Sequence, residues 1–176
     1  TIIGKNCKIG QNSKIVNSDI ADSVEIQSSM ILESRIGEKT TIGPFAYLRP
    51  KSTVGKNCKV GDFVEIKNSS LGDRSKAAHL TYIGDSDVGC DVNIGCGVVF
   101  VNYDGTNKHR SIVEDEAFIG CNCNLVSPIT VKKGAYIAAG STVTKDVPSD
   151  ALCVARAREK ILEGWVSKRK KKKKEK

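Results

Sequence analysis

Aliphatic residues recur at every sixth position of this chain, and a glycine often follows. Ile3-Gly4, Ile9-Gly10 and Ile15 begin the series, and Ile36-Gly37, Ile42-Gly43, Leu48, Val54-Gly55, Val60-Gly61 and Ile66 continue it. Leu71-Gly72, Ile83-Gly84, Val88-Gly89 and Ile94-Gly95 follow, then Ile119-Gly120, Leu125, Val131, Ile137 and Val143. Four residues after each anchor comes a small or β-branched residue, such as Cys7, Thr40, Ala46, Cys58, Val92 or Ser141. A period of six is neither the helical period nor simple strand alternation. It suits a short strand followed by a corner, with three strands closing a coil of about 18 residues. Coils stack at the inter-strand spacing of about 4.8 Å, so the anchors pile into an internal ladder. The glycine after each anchor reads as a corner residue with φ > 0. The predicted fold is all-β: a left-handed parallel β-helix of hexapeptide repeats. A sandwich of short strands would instead show alternation and turns every 8–12 residues.

The repeat also sets the organisation. Some slots hold five residues, namely 15 to 20, 26 to 31, 31 to 36, 66 to 71 and 83 to 88, and shorten a corner without losing phase. Residues 100–111 cannot fit a corner and are expected to project as a loop, where solenoids commonly build a binding face. A smaller break lies at 112–118. The β-helix is expected over 1–148, a short helical or irregular cap over 149–167, and a disordered lysine-rich tail over 168–176. Flat solenoid faces predict a homotrimer.

Composition then excludes classes of function. The net charge is +8, but eight basic residues and one acid lie in 168–176, so the body is close to neutral. No basic helix or aromatic-studded sheet marks a nucleic-acid partner. The longest apolar run, Ile94 to Val101, is far below the roughly 20 residues of a membrane span, and no secretory signal opens the chain. The seven cysteines, Cys7, Cys58, Cys90, Cys96, Cys121, Cys123 and Cys153, are odd in number and favour free thiols in a reducing cytoplasm. Cys121-x-Cys123 is too short for the usual zinc pair, so no metal is expected.

The chemistry must come from side chains that leave the ladder. His79 lies in a slot without the glycine corner, where an outward imidazole can take a proton near neutral pH. An exposed, inert histidine is the plain alternative, and it is favoured for His109 among the basic residues of the loop. Arg49 and Lys67 directly follow the anchors Leu48 and Ile66, one coil apart, and so stack as neighbouring cations. An anion between them, such as a phosphate, would relieve their repulsion; two splayed, solvated side chains would do so too. Glu65 stacks on the slot of Tyr82 and is expected to orient His79.

Several of these segments carry a resemblance. Gly43-Pro-Phe-Ala-Tyr-Leu-Arg-Pro50, Val64-Glu-Ile-Lys67, Ser75-Lys-Ala-Ala-His-Leu-Thr-Tyr82, Val92-Asn-Ile-Gly95 and Asn102-Tyr-Asp-Gly-Thr-Asn-Lys108 are similar to the C-terminal acetyltransferase domain of the bacterial bifunctional GlmU family. The resemblance runs from about residue 1 to Trp165. It implies acetyl transfer from acetyl-CoA to the 2-amino group of glucosamine-1-phosphate, on the route to UDP-N-acetylglucosamine and the cell wall. It implies a general base at His79 and a sugar-phosphate clamp at Arg49 and Lys67. Tyr82, Asn93 and Lys108 fall at further substrate contacts. Cys96, Asn102, Tyr103, Cys121, Ala139 and Arg156 fall at acetyl-CoA contacts. The family is trimeric, with sites between subunits. Cys121 stands where relatives often have serine, and a thiol is the weaker donor. Cys96 and Ala78 replace residues that are commonly alanine and glycine. No glycine-rich nucleotide loop precedes Thr1, so the uridyltransferase half and its magnesium site are not expected here.

Two other readings remain in view, and a third, a carbonic anhydrase, is rejected. Another hexapeptide acyltransferase would not need stacked Arg49 and Lys67. A γ-class carbonic anhydrase needs three histidine ligands, and this chain has two histidines. A non-catalytic solenoid is the second that remains.

Overall fold

The computed structural model describes residues 1–174. Parallel strands of two to four residues build three faces of eight, nine and eight strands, each coil giving one strand to each face. The chain is a parallel β-helix. Its anchors stack in register: Val54 pairs with Ile36 and Leu71 on the first face, Val60 with Ile42 and Ala77 on the second, and Ile66 with Leu48 and Ile83 on the third. All of these side chains are buried, and they make one continuous core along the axis. Thr40, Ser52, Ser75 and Ser141 are buried in the corner positions. Their hydroxyls hydrogen-bond to backbone, as in Thr40 Oγ1 to Gly55 O at 2.7 Å and Ser75 Oγ to Gly89 O at 2.7 Å. Small polar residues therefore fill the corners with their hydroxyls paired, Ser13 excepted, whose buried Oγ has no partner.

The glycines after the anchors have a different role from the expected one. Of these, only Gly43 has a positive φ. A Cβ on Gly72 would lie 2.4 Å from the Gly89 carbonyl carbon of the next coil, so glycine is required there by close stacking. The left-handed conformation instead falls two residues later, on side chains such as Asn6, Asn12, Asn57 and Asp91. Asn and Asp tolerate it because their short polar side chains bond locally.

The loop is shorter than its expected span of 100–111. Phe100 lies six residues after Ile94 and is the fully buried third-face anchor, in register with Leu125. Strands Val99–Val101 and Ser111–Val113 take both ends of the expected segment, and residues 102–110 project. The repeat also outlasts residue 148, because Leu152–Cys153 adds a ninth strand to the second face. Residues 154–164 are irregular. A helix, Trp165–Lys174, crosses the segment expected as a disordered tail. Lysine is a good helix former, and Arg169, one turn on, lies with its guanidinium 5.1 Å from the Trp165 ring centroid. Residues 175–176 of the expected tail lie outside the described residues. No described helix is long and apolar enough to cross a membrane.

Candidate active site

The third face gathers the cations. Glu65 stands in register with Tyr47 below and Tyr82 above, and Lys67 with Gly84. Arg49 N donates to Ile66 O at 2.8 Å, which puts the Arg49 and Lys67 side chains one coil apart at the same edge. Arg49 Nη1 reaches Glu65 Oε1 at 2.9 Å, and this contact raises the guanidinium's pKa. Lys67 Nζ lies 3.5 Å from Asp85 Oδ2. The loop then lays Lys108 beside Lys67. Two ammonium groups in contact compete for protons: Lys67 is raised, and Lys108 is held below the ordinary lysine value. Three cations thus meet two carboxylates.

Asp85 is the pin of this arrangement. Burial pushes its carboxyl up, but donors from Asn68 and Asn102, with Lys67, bring it below the usual range. Asn102, expected at the acetyl donor, is buried with its amide nitrogen bonded to Asp85, and it anchors the loop. Asp104 braces the loop by accepting from Thr106 N at 2.7 Å, Asn107 N at 2.6 Å and His109 Nε2 at 2.6 Å. Arg110 ties its end to Asp87, with Nε donating to Oδ2 at 2.6 Å. Tyr103 stays exposed, its hydroxyl donating to Gly105 O at 2.6 Å. Tyr82 leans over Gly84, where a Cβ would lie 2.4 Å from the phenol oxygen.

His79 sits elsewhere. It ends the second-face strand Lys76–His79, which pairs with Lys59–Asp62 so that Asp62 stands opposite His79. Gly61 permits this close pairing: a Cβ there would lie 1.9 Å from the Ala78 carbonyl oxygen. The result is a contact of 2.6 Å between Asp62 Oδ1 and His79 Nδ1, with the imidazole side chain 57% exposed. Hydrogen bonding to His79 lowers the Asp62 pKa, so the carboxylate is ionised and can only accept. Nδ1 therefore carries the proton of the neutral ring, and Nε2 is left with its lone pair. Within one chain Glu65, expected to orient His79, does not meet it. Glu65 points off the third face and is engaged by Arg49, whereas Asp62 shares the phase of His79 and takes its ring.

The corner between the second and third faces carries most of the expected acetyl-CoA positions. Gly97 N donates to Leu80 O at 2.9 Å, Asn122 N to Cys96 O at 2.7 Å and Gly140 N to Cys121 O at 2.8 Å. His79, Cys96, Cys121 and Ala139 consequently stand in single file, one per coil. Arg156 lies at the top, its Cδ 3.8 Å from a Cβ built on Gly140. Asn93 lies on the second face, in register with Lys76 and Phe118, and does not meet Tyr82. Within one chain, the other site residues thus fall at two edges of the third face. His79 and the file hold one edge, and Arg49, Lys67 and Lys108 hold the other. The five steps from His79 to Gly84 span up to about 16 Å of extended backbone. Among the described residues, no group of three or more His, Cys, Asp or Glu converges as a metal site.

These features have counterparts in known proteins. Residues 33–68 match the family model described as bacterial transferase hexapeptide (six repeats). The chain is 61% identical over 169 residues to the bifunctional protein GlmU of Clostridioides difficile strain 630, covering 96% of this chain and 37% of that relative. It is therefore a relative of the C-terminal part of GlmU proteins and spans well under half their length. Among solved structures, LpxA, a UDP-N-acetylglucosamine acyltransferase from Bacteroides fragilis 9343, matches with a TM-score of 0.76 at 21% identity, over 85% of this chain and 65% of that one. A mutant perosamine N-acetyltransferase from Caulobacter crescentus, in complex with CoA and GDP-perosamine, matches with a TM-score of 0.58 at 21% identity, over 66% of this chain and 53% of that one. These two likenesses establish the shared fold.

Proposed function

We propose that this chain is the acetyl-transferring part of a GlmU protein. It moves the acetyl group of acetyl-CoA to the 2-amino group of glucosamine-1-phosphate, giving N-acetylglucosamine-1-phosphate for cytoplasmic UDP-N-acetylglucosamine and cell-wall synthesis. The identity to a GlmU protein supports the family of reaction. One observation carries the substrate class: Arg49, Lys67 and Lys108 converge at one edge, where Glu65 and Asp85 are the carboxylates paired with them among the described residues. A sugar phosphate supplies the missing negative charge, and Arg49 can bind it bidentately.

The base belongs to a second copy. Because His79 and the clamp stand apart in one chain, a threefold assembly is needed to set one copy's His79 against another's clamp. Phe45, Phe63 and Leu80 support such packing. They are exposed, stack on consecutive coils beside His79, and all take positive φ, which bulky side chains rarely do. Acetyl-CoA lies along the file, its thioester near Cys96 and Cys121, its chain over Ala139, and its phosphates toward Arg156. Asn93 and Tyr82 contact the sugar, and Tyr103 the donor.

The neutral 2-amino group attacks the thioester carbonyl. His79 Nε2 accepts the proton released as the C–N bond forms, and returns it to the departing CoA sulfur. Asp62 holds the required tautomer and stabilises the imidazolium between the two transfers. A positioned base of this kind is worth about 10²–10⁴-fold. No acetylated enzyme is needed.

Release of the CoA thiol, followed with glucosamine-1-phosphate and with glucosamine, tests the reading. Turnover is expected with the phosphate ester and strongly reduced without it. Equal rates would remove the clamp, and a His79→Ala protein with full turnover would remove the base.

A further inference from the structure

Two cysteines of this chain stand apart from the other five. Cys96 and Cys121 are both exposed and both free. Their coils are in register: Ile94 pairs with Ile119, Gly95 N donates to Ile119 O at 2.8 Å, and Asn122 N donates to Cys96 O at 2.7 Å. The two thiols therefore leave the same corner, in the same direction, from adjacent coils. The inter-coil spacing of about 4.8 Å lies within the roughly 4.4–6.8 Å between Cα atoms that a disulfide bridges.

The rest of the thiols do not share this placement. Cys58 and Cys123 are buried, burial pushes their pKa up, and their sulfurs face carbonyl oxygens of Gly72 at 3.0 Å and Ala138 at 3.2 Å. Cys7 faces Ala21 O at 3.1 Å in the same way. Among the described residues, neither Cys96 nor Cys121 has a side-chain hydrogen bond. Cys123 cannot substitute for Cys121, because it points into the core two residues on. Corner packing explains the buried cysteines but not two outward thiols on neighbouring coils.

We propose that Cys96 and Cys121 form a redox-sensitive dithiol that a hydroperoxide closes into an intrachain disulfide, and that the closed form excludes the acetyl donor. One thiolate attacks the peroxide oxygen, and the O–O bond breaks to give a sulfenic acid and hydroxide. The second sulfur then attacks the sulfenyl sulfur. The S–S bond forms, the S–O bond breaks, and the oxygen leaves as water once both thiol protons are counted. In sum, two thiols lose two electrons and two protons, and one hydrogen peroxide becomes two waters. An external dithiol reverses the step by exchange. The exclusion of the donor rests on the proposed acetyl transfer; formation of the bond does not.

The test treats the purified protein with hydrogen peroxide, quenches it, and reads intact mass, tryptic peptides and CoA release in parallel. The expected result is a loss of about 2 Da and a link between the peptides spanning 77–108 and 111–132. Either Cys96→Ser or Cys121→Ser abolishes the link. CoA release falls more than tenfold and returns on treatment with dithiothreitol. Saturating CoA slows the linkage. The absence of that link, or its persistence in both single variants, would overturn the dithiol. Full linkage with unchanged CoA release would overturn the exclusion. A reduced protein that releases no CoA would sink the acetyltransferase reading separately, while linkage and its protection by CoA would still decide this one.

Discussion

Asp62 and His79 meet at 2.6 Å because the coil between them is 17 residues long. The short slot from Ile66 to Leu71 sets that length, and Gly61 lets the two strands close. A carboxylate on Nδ1 leaves Nε2 free to work, which is the arrangement a general base requires.

Removing that carboxylate should act on turnover more than on binding. Asp62→Ala is expected to lower kcat by roughly tenfold or more, but less than the 10²–10⁴ that loss of the base itself costs. The KM for glucosamine-1-phosphate should stay nearly unchanged, since Asp62 is engaged by the His79 ring and is not part of the clamp. The pH profile adds a check. The folded Asp62 pKa is depressed below 3.8 by the hydrogen bond to His79. The contact is therefore intact above that value and is lost only as pH falls through the lowered one. No loss of activity between pH 5 and 8 should trace to Asp62. Steady-state kinetics of Asp62→Ala with an equal rise in KM and no fall in kcat would refute the role.

Binding of the phosphate should take up a proton. Lys108 is held below 10.5 by the neighbouring Lys67 ammonium. An anion between the two favours the charged form and raises Lys108 again. At any pH between the lowered value and 10.5, binding then draws protons from buffer. Glucose-1-phosphate isolates the effect because it has no amine to titrate. Calorimetry in buffers of different ionisation heat should show the uptake growing above neutral pH, and Lys67→Met should abolish it. Buffer-independent heats from pH 7 to 10 would show that no such cation pair exists.

Gly61→Ala tests the packing beneath the catalytic contact. The added methyl would meet the Ala78 carbonyl oxygen at 1.9 Å, so the strands must part. Overpacking of this sort costs about 1–3 kcal/mol, and Tm should fall by several degrees. Turnover should fall with it, because separation of the strands moves Asp62 from His79. A variant with wild-type Tm would show that the close approach is not a constraint.

The ladder was legible because its cause is local: one aliphatic residue per short strand writes the period directly into the sequence. The stacking of Arg49 on Lys67 followed from the same phase. Phe100 is hidden from the sequence because an aromatic in the anchor slot sits at the edge of a long insertion, which masks the spacing of six. The glycines were legible as a pattern but not in their cause, since close approach of a neighbouring coil is a property of the stack. Asp62 was within reach, because its phase matches that of His79 when the short slot is counted. The contact of Arg110 with Asp87 crosses the insertion, and nothing in the spacing announces it.

The separation of His79 from the clamp gives the most demanding expectation. If each site takes its base from one copy and its clamp from the next, two inactive proteins should rescue each other. His79→Ala keeps an intact Arg49 and Lys67, and Arg49→Ala keeps an intact His79. In randomly mixed trimers, about one site in four pairs a good base with a good clamp. Co-expression with different affinity tags, two-step purification and native mass spectrometry would isolate the hybrids. CoA release near a quarter of the wild-type rate is expected from the random mixture, against almost none from either parent. Verified hybrids as inactive as their parents would mean that each site is completed within a single chain, and that the assembly supplies no part of the chemistry.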